Sequence, residues 1–195
     1  MPELPEVETV KKGLEDILVN KTIKGINLSG FSLRFPIPKN LVSLASGKKI
    51  LSIGRRSKYI LFNLSENISL ISHLGMSGSY RILSQEESKS YKAKKHDHII
   101  FQFEDFKVVY NDPRRFGYIF ITDKDPKDHR SIACLGPEPM SNNFNEAILA
   151  KSFYKKERPV KNALLDQTII SGLGNIYVCE ALFRSKINPK KKLNN

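Results

Sequence analysis

Residues 49–83 read KILSIGRRSKYILFNLSENISLISHLGMSGSYRIL. Short runs of β-branched, aromatic and aliphatic residues, at 49–53, 59–64, 68–72 and 79–83, alternate with clusters of Gly, Ser and Asn. Antiparallel strands joined by short connections have this texture. The pattern extends outward on both sides, to residues 22–28 before it and to 98–103, 107–110 and 118–121 after it. Residues 85–95 are polar, and a mobile loop is expected there.

The flanking segments have a different period. Val7, Val10, Leu14, Ile17 and Leu18 recur at helical spacing, Pro5 suits a first helical turn, and Glu6 and Glu8 sit where the helix dipole favours carboxylates. A helix over 4–18 is therefore predicted. Residues 123–143 lose all periodicity and contain Pro126, Pro137 and Pro139, so a linker is placed there. Helical patterns follow at 146–154, 160–167 and 176–187, and the lysines at 190–192 read as a frayed tail. The expected fold class is α+β. An N-terminal antiparallel β-sandwich with a flanking N-terminal helix occupies 1–125, a linker 126–142, and a small helical domain 143–195.

The chain has 195 residues, with 32 Lys+Arg against 20 Asp+Glu and a net charge of +12. An apolar content of 40% is enough for a core and excludes wholesale disorder. No apolar run approaches the roughly 20 residues that cross a bilayer, and the first residues lack the pattern of a secretion signal. A cytoplasmic protein without membrane contact is expected. The excess charge is shared about evenly between residues 1–128 and the much shorter remainder, which is consequently the more basic part per residue. Such charge suits a polyanion, although composition alone does not decide for nucleic acid. Cys134 and Cys179 form no CxxC pair, so neither a disulfide framework nor a zinc finger can be built from them, and both read as buried apolar residues.

Several residues have the properties of reactive groups. Removal of Met1 leaves Pro2 with a free secondary amine. An α-amino group has a reference pKa of about 7.7 to 8.0 against about 10.4 for lysine, so a useful neutral fraction exists at cellular pH. Such an amine can attack a sugar C1′ and form a Schiff base, and the adjacent Glu3 can move protons. The plainer reading is that Pro2, Pro5 and the glutamates simply start a helix. Lys58 opens an apolar strand, where it either reaches a phosphate or base or is merely solvated. Met76 lies between Gly75 and Ser77, and Arg114 and Phe116 follow Pro113 in another turn. They suit apolar wedges and a cation that fill the hole left by an extruded base, or else ordinary hairpin ends. Gly172-Leu173-Gly174-Asn175 leads into a helix whose N-terminus could hold a phosphate, with Asn175 as cap. His96-Asp97-His98 lacks further ligands nearby, and no metal is assigned to it.

The opening PELPEVET, with GRRSKYILF at 54–62, SHLGMSG at 72–78, NDPRRFG at 111–117 and LLDQTIISGLGNIYVCEALF at 164–183, resembles bacterial formamidopyrimidine-DNA glycosylase of the MutM type. The sister family of endonuclease VIII usually opens PEGPE, so Leu4 favours the oxidised-purine branch. The resemblance implies a DNA-repair glycosylase and abasic-site lyase acting on oxidised purines in double-stranded DNA, with a helix–two-turns–helix element in the helical domain. It implies Pro2, Glu3 and Lys58 as catalytic residues and Glu6 as active-site support. It also implies His73, Met76, Arg114, Phe116, Lys161 and Asn175 as DNA contacts, and Arg115 in the same turn is assigned here to a phosphate. No cofactor is expected, because the family's C-terminal zinc finger of four cysteines has no counterpart in these residues. A monomer is expected. Two readings from other classes stay open, a truncated or split-gene remnant that binds damaged DNA with little turnover, and a basic RNA-binding module.

Overall fold

A computed structural model describes residues 2–154 and 156–193. The first element is helix α1 (Leu4–Leu18), with Pro5 in its first turn. Val7, Leu14 and Leu18 are its buried residues. At 100° per residue these three fall within about 40° of one another, whereas Ile17 lies about 80° from Val7 and is 40% exposed. Ile17 therefore flanks the buried stripe that the spacing assigned it to.

Two four-stranded antiparallel sheets follow. One has the order β1 (Gly25–Leu28), β6 (Asp97–Gln102), β7 (Lys107–Asn111), β5 (Ser79–Leu83). The other has the order β2 (Ile50–Arg56), β3 (Tyr59–Leu64), β4 (Ser69–His73), β8 (Tyr118–Thr122). The strands expected from the alternation are all present within a few residues. One hydrophobic cluster joins both sheets and α1, through residues such as Val7, Leu14, Phe62, Leu70, Phe101 and Val108. The ring of Phe62 on β3 meets that of Tyr80 on β5 at 5.8 Å. The Tyr80 hydroxyl donates to Ser72 Oγ on β4 at 2.7 Å. The sequence reading did not anticipate the short helix α2 (Leu41–Ala45), which buries Leu41 and Ala45.

The polar stretch after β5 is not simply a loop. Helix α3 (Gln85–Ser90) forms there because Ser84 accepts from the Glu87 N–H and Glu87 reaches back to the Ser84 N–H, a reciprocal capping box. Beyond it, the Asp97 carboxylate accepts from the Tyr91 hydroxyl, the Lys94 N–H and Asn111 Nδ2, which pins the rest of the segment to β7.

The chain divides into two units, Met1–His129 and Arg130–Asn195. A 3₁₀ turn (Pro126–Asp128) closes the first, and the second begins with α4 (Arg130–Ala133). Helix α5 (Glu146–Phe153) is capped by Asn145, whose side chain accepts from the Ile148 N–H at 3.0 Å. Helices α6 (Val160–Leu164) and α7 (Asn175–Arg184) pack through Val160, Val178 and Leu182. Two expectations are corrected here. The lysine tail is tied down, since the Val160 N–H donates to Lys191 O at 2.8 Å and Lys192 bridges to Pro159. Cys134 and Cys179 are both exposed. Cys179 sits on α7 one position after Val178, so it turns away from the face that Val178 buries. No helix among the described residues is long and apolar enough to cross a membrane.

Loss of the Leu14 side chain leaves a cavity under α1, so Leu14→Ala is expected to destabilise the fold by about 2–5 kcal/mol. Ile17→Ala should cost less than about 1 kcal/mol, and urea-unfolding midpoints of the two variants will show the difference.

Candidate functional site

The amino end of α1 meets the β2–β3 hairpin at a cluster of charge. Glu3 is the N-cap of α1 and only 1% exposed. Its backbone N–H donates to Glu6 Oε2 at 2.9 Å, so Glu6 holds the first helical turn and with it the residue that follows Pro2. Pro2 is half-buried, and Met1, whose removal the sequence reading expects, lies outside the described residues.

Lys58 comes from the hairpin turn, where Ser57 adopts a left-handed φ of 55° and is itself buried. Arg55 on β2 fixes this turn from both sides. Its Nε donates to Glu8 Oε2 on α1 at 2.6 Å, and its Nη1 donates to the Ser57 carbonyl at 2.9 Å. Lys58 is consequently only 8% exposed. Burial pulls its pKa below the ordinary lysine value, and the negative charge of Glu3 opposes the shift. A lysine in this state releases and regains a proton more readily than a solvated one. The merely solvated lysine of the plainer reading is therefore ruled out.

His73, at the end of β4, stacks on Tyr118 with ring centroids 4.7 Å apart and an interplanar angle of 6°. Its Nδ1 accepts from the Gly75 N–H at 3.0 Å. Burial, then the positive charges of Lys58 and Arg34, bring its pKa down to about 4. Near neutrality the ring is thus uncharged, and with Nδ1 an acceptor its proton sits on Nε2.

The two glycine-bounded turns singled out in the sequence interlock. Asp112 is fully buried. Its Oδ1 accepts from Ser77 Oγ at 2.5 Å, its Oδ2 from the Gly117 N–H at 2.8 Å, and its backbone carbonyl lies 3.0 Å from His98 Nε2. Ser77 Oγ in turn accepts from the Arg114 N–H at 3.2 Å. Gly75 has a φ of 62°, and a Cβ there would lie 2.3 Å from the carbonyl carbon of Phe116. The 73–78 and 112–117 turns can approach this closely only with glycine at 75. Held so, they display Met76 at 41% and Phe116 at 42% exposure, with the Arg114 guanidinium carbon 4.8 Å from the centre of the Phe116 ring. Arg115 is exposed beside them in a left-handed conformation.

In the second unit, Lys161 lies on α6 and Asn175 is the first residue of α7. Gly174 occupies the N-cap position, so the capping role expected of Asn175 is corrected. Gln167 holds the intervening turns: its side chain donates to the carbonyls of Leu165 and Leu173 and accepts from the Gly172 N–H.

Family models agree with this division of the chain. That of the formamidopyrimidine-DNA glycosylase N-terminal domain matches residues 1–119, and that of the formamidopyrimidine-DNA glycosylase H2TH domain matches residues 135–195. The chain belongs to the formamidopyrimidine-DNA glycosylase family. It is 46% identical over 201 residues to the formamidopyrimidine-DNA glycosylase of Bartonella tribocorum, a match that covers 98% of this chain and 69% of that protein. The enzyme of the same name from Allorhizobium ampelinum is 44% identical over 204 residues, with 97% and 69% covered. Among solved structures, Lactococcus lactis formamidopyrimidine-DNA glycosylase non-covalently bound to DNA containing an abasic site is similar, with a TM-score of 0.88, 36% identity, and coverage of 98% of this chain and 73% of that one. A further complex of the Lactococcus lactis protein with abasic-site DNA gives a TM-score of 0.86 at 36% identity, with 99% and 70% covered.

Within this glycosylase fold the first unit brings Pro2, Glu3, Glu6 and Lys58 to one helix end and places His73, Met76, Arg114, Arg115 and Phe116 on or beside the interlocked turns. The sequence reading missed the residues that hold these groups. Asp112 was part of a quoted motif, and an aspartate before Pro113 is a turn signal, yet its capture of the partner turn depends on contacts 35 residues apart in the chain. The Arg55–Glu8 pair spans 47 residues and left no local signal. His96, Asp97 and His98 do not form a ligand cluster, since His98 is committed to Ser29 and Asp112, and no three metal-binding side chains come together among the described residues.

The depressed pKa of His73 has a definite consequence for stability. The unfolded ring takes up a proton near 6.5 and the folded ring only near 4, so the stabilisation is complete above about pH 6.5 and is lost as pH falls toward 4. His73→Asn preserves an acceptor for the Gly75 N–H but does not titrate. Over that window its unfolding free energy should fall less steeply than that of the parent protein in urea titrations.

Proposed function

We propose that the chain is a bifunctional DNA glycosylase and abasic-site lyase that removes oxidised purines, such as 8-oxoguanine and formamidopyrimidines, from double-stranded DNA. The observation that carries this reading is the meeting of nearly buried Glu3 and Lys58 at the helix end that begins beside Pro2.

In this reading the Pro2 nitrogen, freed by loss of Met1, attacks C1′ of the damaged nucleotide. The bond from C1′ to the base breaks and the base leaves with a proton. Glu3 delivers a proton to the ring oxygen as the sugar opens, and an iminium joins Pro2 to C1′. The iminium acidifies C2′. Loss of a C2′ proton expels the 3′-phosphate, and a second elimination expels the 5′-phosphate. Lys58, its pKa lowered by burial, serves these proton transfers beside Glu3.

Access to C1′ requires the base to leave the stack. The exposed Met76 and Phe116, with Arg114 fixed over the Phe116 ring, have the apolar and cationic character needed to fill the vacated space and face the orphaned partner base. Neutral His73 offers an Nε2–H to a phosphate, and Arg115, Lys161 and the amino end of α7 at Asn175 supply further phosphate contacts. The net charge of +12 supports a polyanionic partner.

Borohydride trapping on duplex containing 8-oxoguanine tests the reading. The parent protein is expected to form a covalent adduct, and Pro2→Gly to form it at least about tenfold more slowly while retaining duplex affinity. Retention of Met1 in the mass spectrum of the purified protein, or equal trapping by both proteins, would overturn Pro2 as the nucleophile.

A further inference from the structure

Arg34 lies on the connection between β1 and α2, outside every motif that the sequence reading used. Both of its neighbours are anchored. Leu33 is 6% exposed and packs into the main core. The Phe35 ring meets the edge of Tyr118 at 5.3 Å and lies 5.9 Å from Phe120. The backbone of Arg34 is anchored too, since its N–H donates at 3.0 Å to the carbonyl of Gly117, the residue that closes the Arg114–Phe116 turn. These restraints leave only the side chain free, and it is exposed. Among the described residues its guanidinium has no carboxylate or carbonyl partner.

An arginine held at three successive residues, unpaired, beside a turn that already displays Arg114 and Arg115, differs from an ordinary solvated one. Its backbone entropy is already lost in the fold, so ordering the side chain on a ligand costs less than it would on a mobile loop. Five N–H donors in a planar fork suit two oxygens of one phosphodiester. Its charge also reaches His73, whose ring stacks on the same Tyr118 that Phe35 abuts. Arg34 and His73 are thus near neighbours around Tyr118.

We propose that Arg34 is a phosphate-binding residue that extends the DNA-contacting face from the Arg114–Phe116 turn onto the β1–α2 connection. The proposal rests on the DNA-glycosylase reading above and adds a contact to it.

The test is a salt series of equilibrium binding to a duplex containing a tetrahydrofuran abasic-site analogue, for the parent protein, Arg34→Ala and Arg34→Lys. Neutralising one phosphate contributes about 0.9 to the slope of log K against log salt concentration. Arg34→Ala is expected to flatten the slope by about that amount and to weaken binding severalfold at low salt. Arg34→Lys should keep the slope, because the charge remains. A slope for Arg34→Ala equal to that of the parent overturns the proposal, as does the same flattening in Arg34→Lys, which would assign the effect to the connection and not to the cation. If the parent protein itself shows no salt-dependent duplex binding, the DNA reading fails, a result separate from the failure of Arg34 alone.

Discussion

The Arg55 guanidinium joins two parts of the first unit that are distant in sequence. One edge holds Glu8 in the second turn of α1, and another holds the Ser57 carbonyl in the β2–β3 turn. Arg55 is 14% exposed at its side chain and Glu8 32%, so the pair is partly withdrawn from water. At such a site the gain from pairing is largely offset by desolvation, but removal of either partner strands a charge and is strongly unfavourable. The interaction therefore specifies geometry more than it adds stability. Without it, the helix end that carries Glu3 and the turn that carries Lys58 would lose a shared reference point.

That geometry explains the electrostatics of the site. Lys58 is buried and would carry a large desolvation penalty if Glu3 did not lie near enough to offset part of it. Glu3 is positioned in turn by Glu6, which accepts its backbone N–H. A lysine with a lowered pKa beside a buried carboxylate is a common arrangement where protons are exchanged during a reaction. Burial, with the positive charges of Lys58 and Arg34, keeps His73 neutral, so it presents a donor in place of a charge.

The interlocked turns follow a second organising group, the buried carboxylate of Asp112. It satisfies donors from both turns, and Gly75 allows the backbones to approach without a clash. The apolar side chains Met76 and Phe116 remain exposed, which has a transfer cost in water. A rigid base of hydrogen bonds holds them there despite that cost, as expected of residues kept for contact with a ligand.

Much of the fold was legible in the residues themselves. Alternation in 59–64 and 79–83 marked strands, and Val7, Leu14 and Leu18 marked a helix, because side-chain period depends only on local backbone geometry. The Ser84 to Glu87 spacing of a capping box was also there to be read, and the polar content of 85–95 obscured it. Pairing was not legible. Strand β1 joins β6, and β5 joins β7, across connections whose register is set by the shared core. The candidate site divides in the same way. Sequence alone determined the family, through the motifs around Pro2, Lys58, Met76, Arg114 and Asn175, and it determined the chemical character of those groups. Only the tertiary structure decided that Lys58 is buried, that Asp112 and Arg55 hold the site, that Gly174 and not Asn175 caps α7, and that both cysteines face solvent. Burial and partner choice depend on residues brought together from distant parts of the chain, and no local pattern encodes which of them will meet.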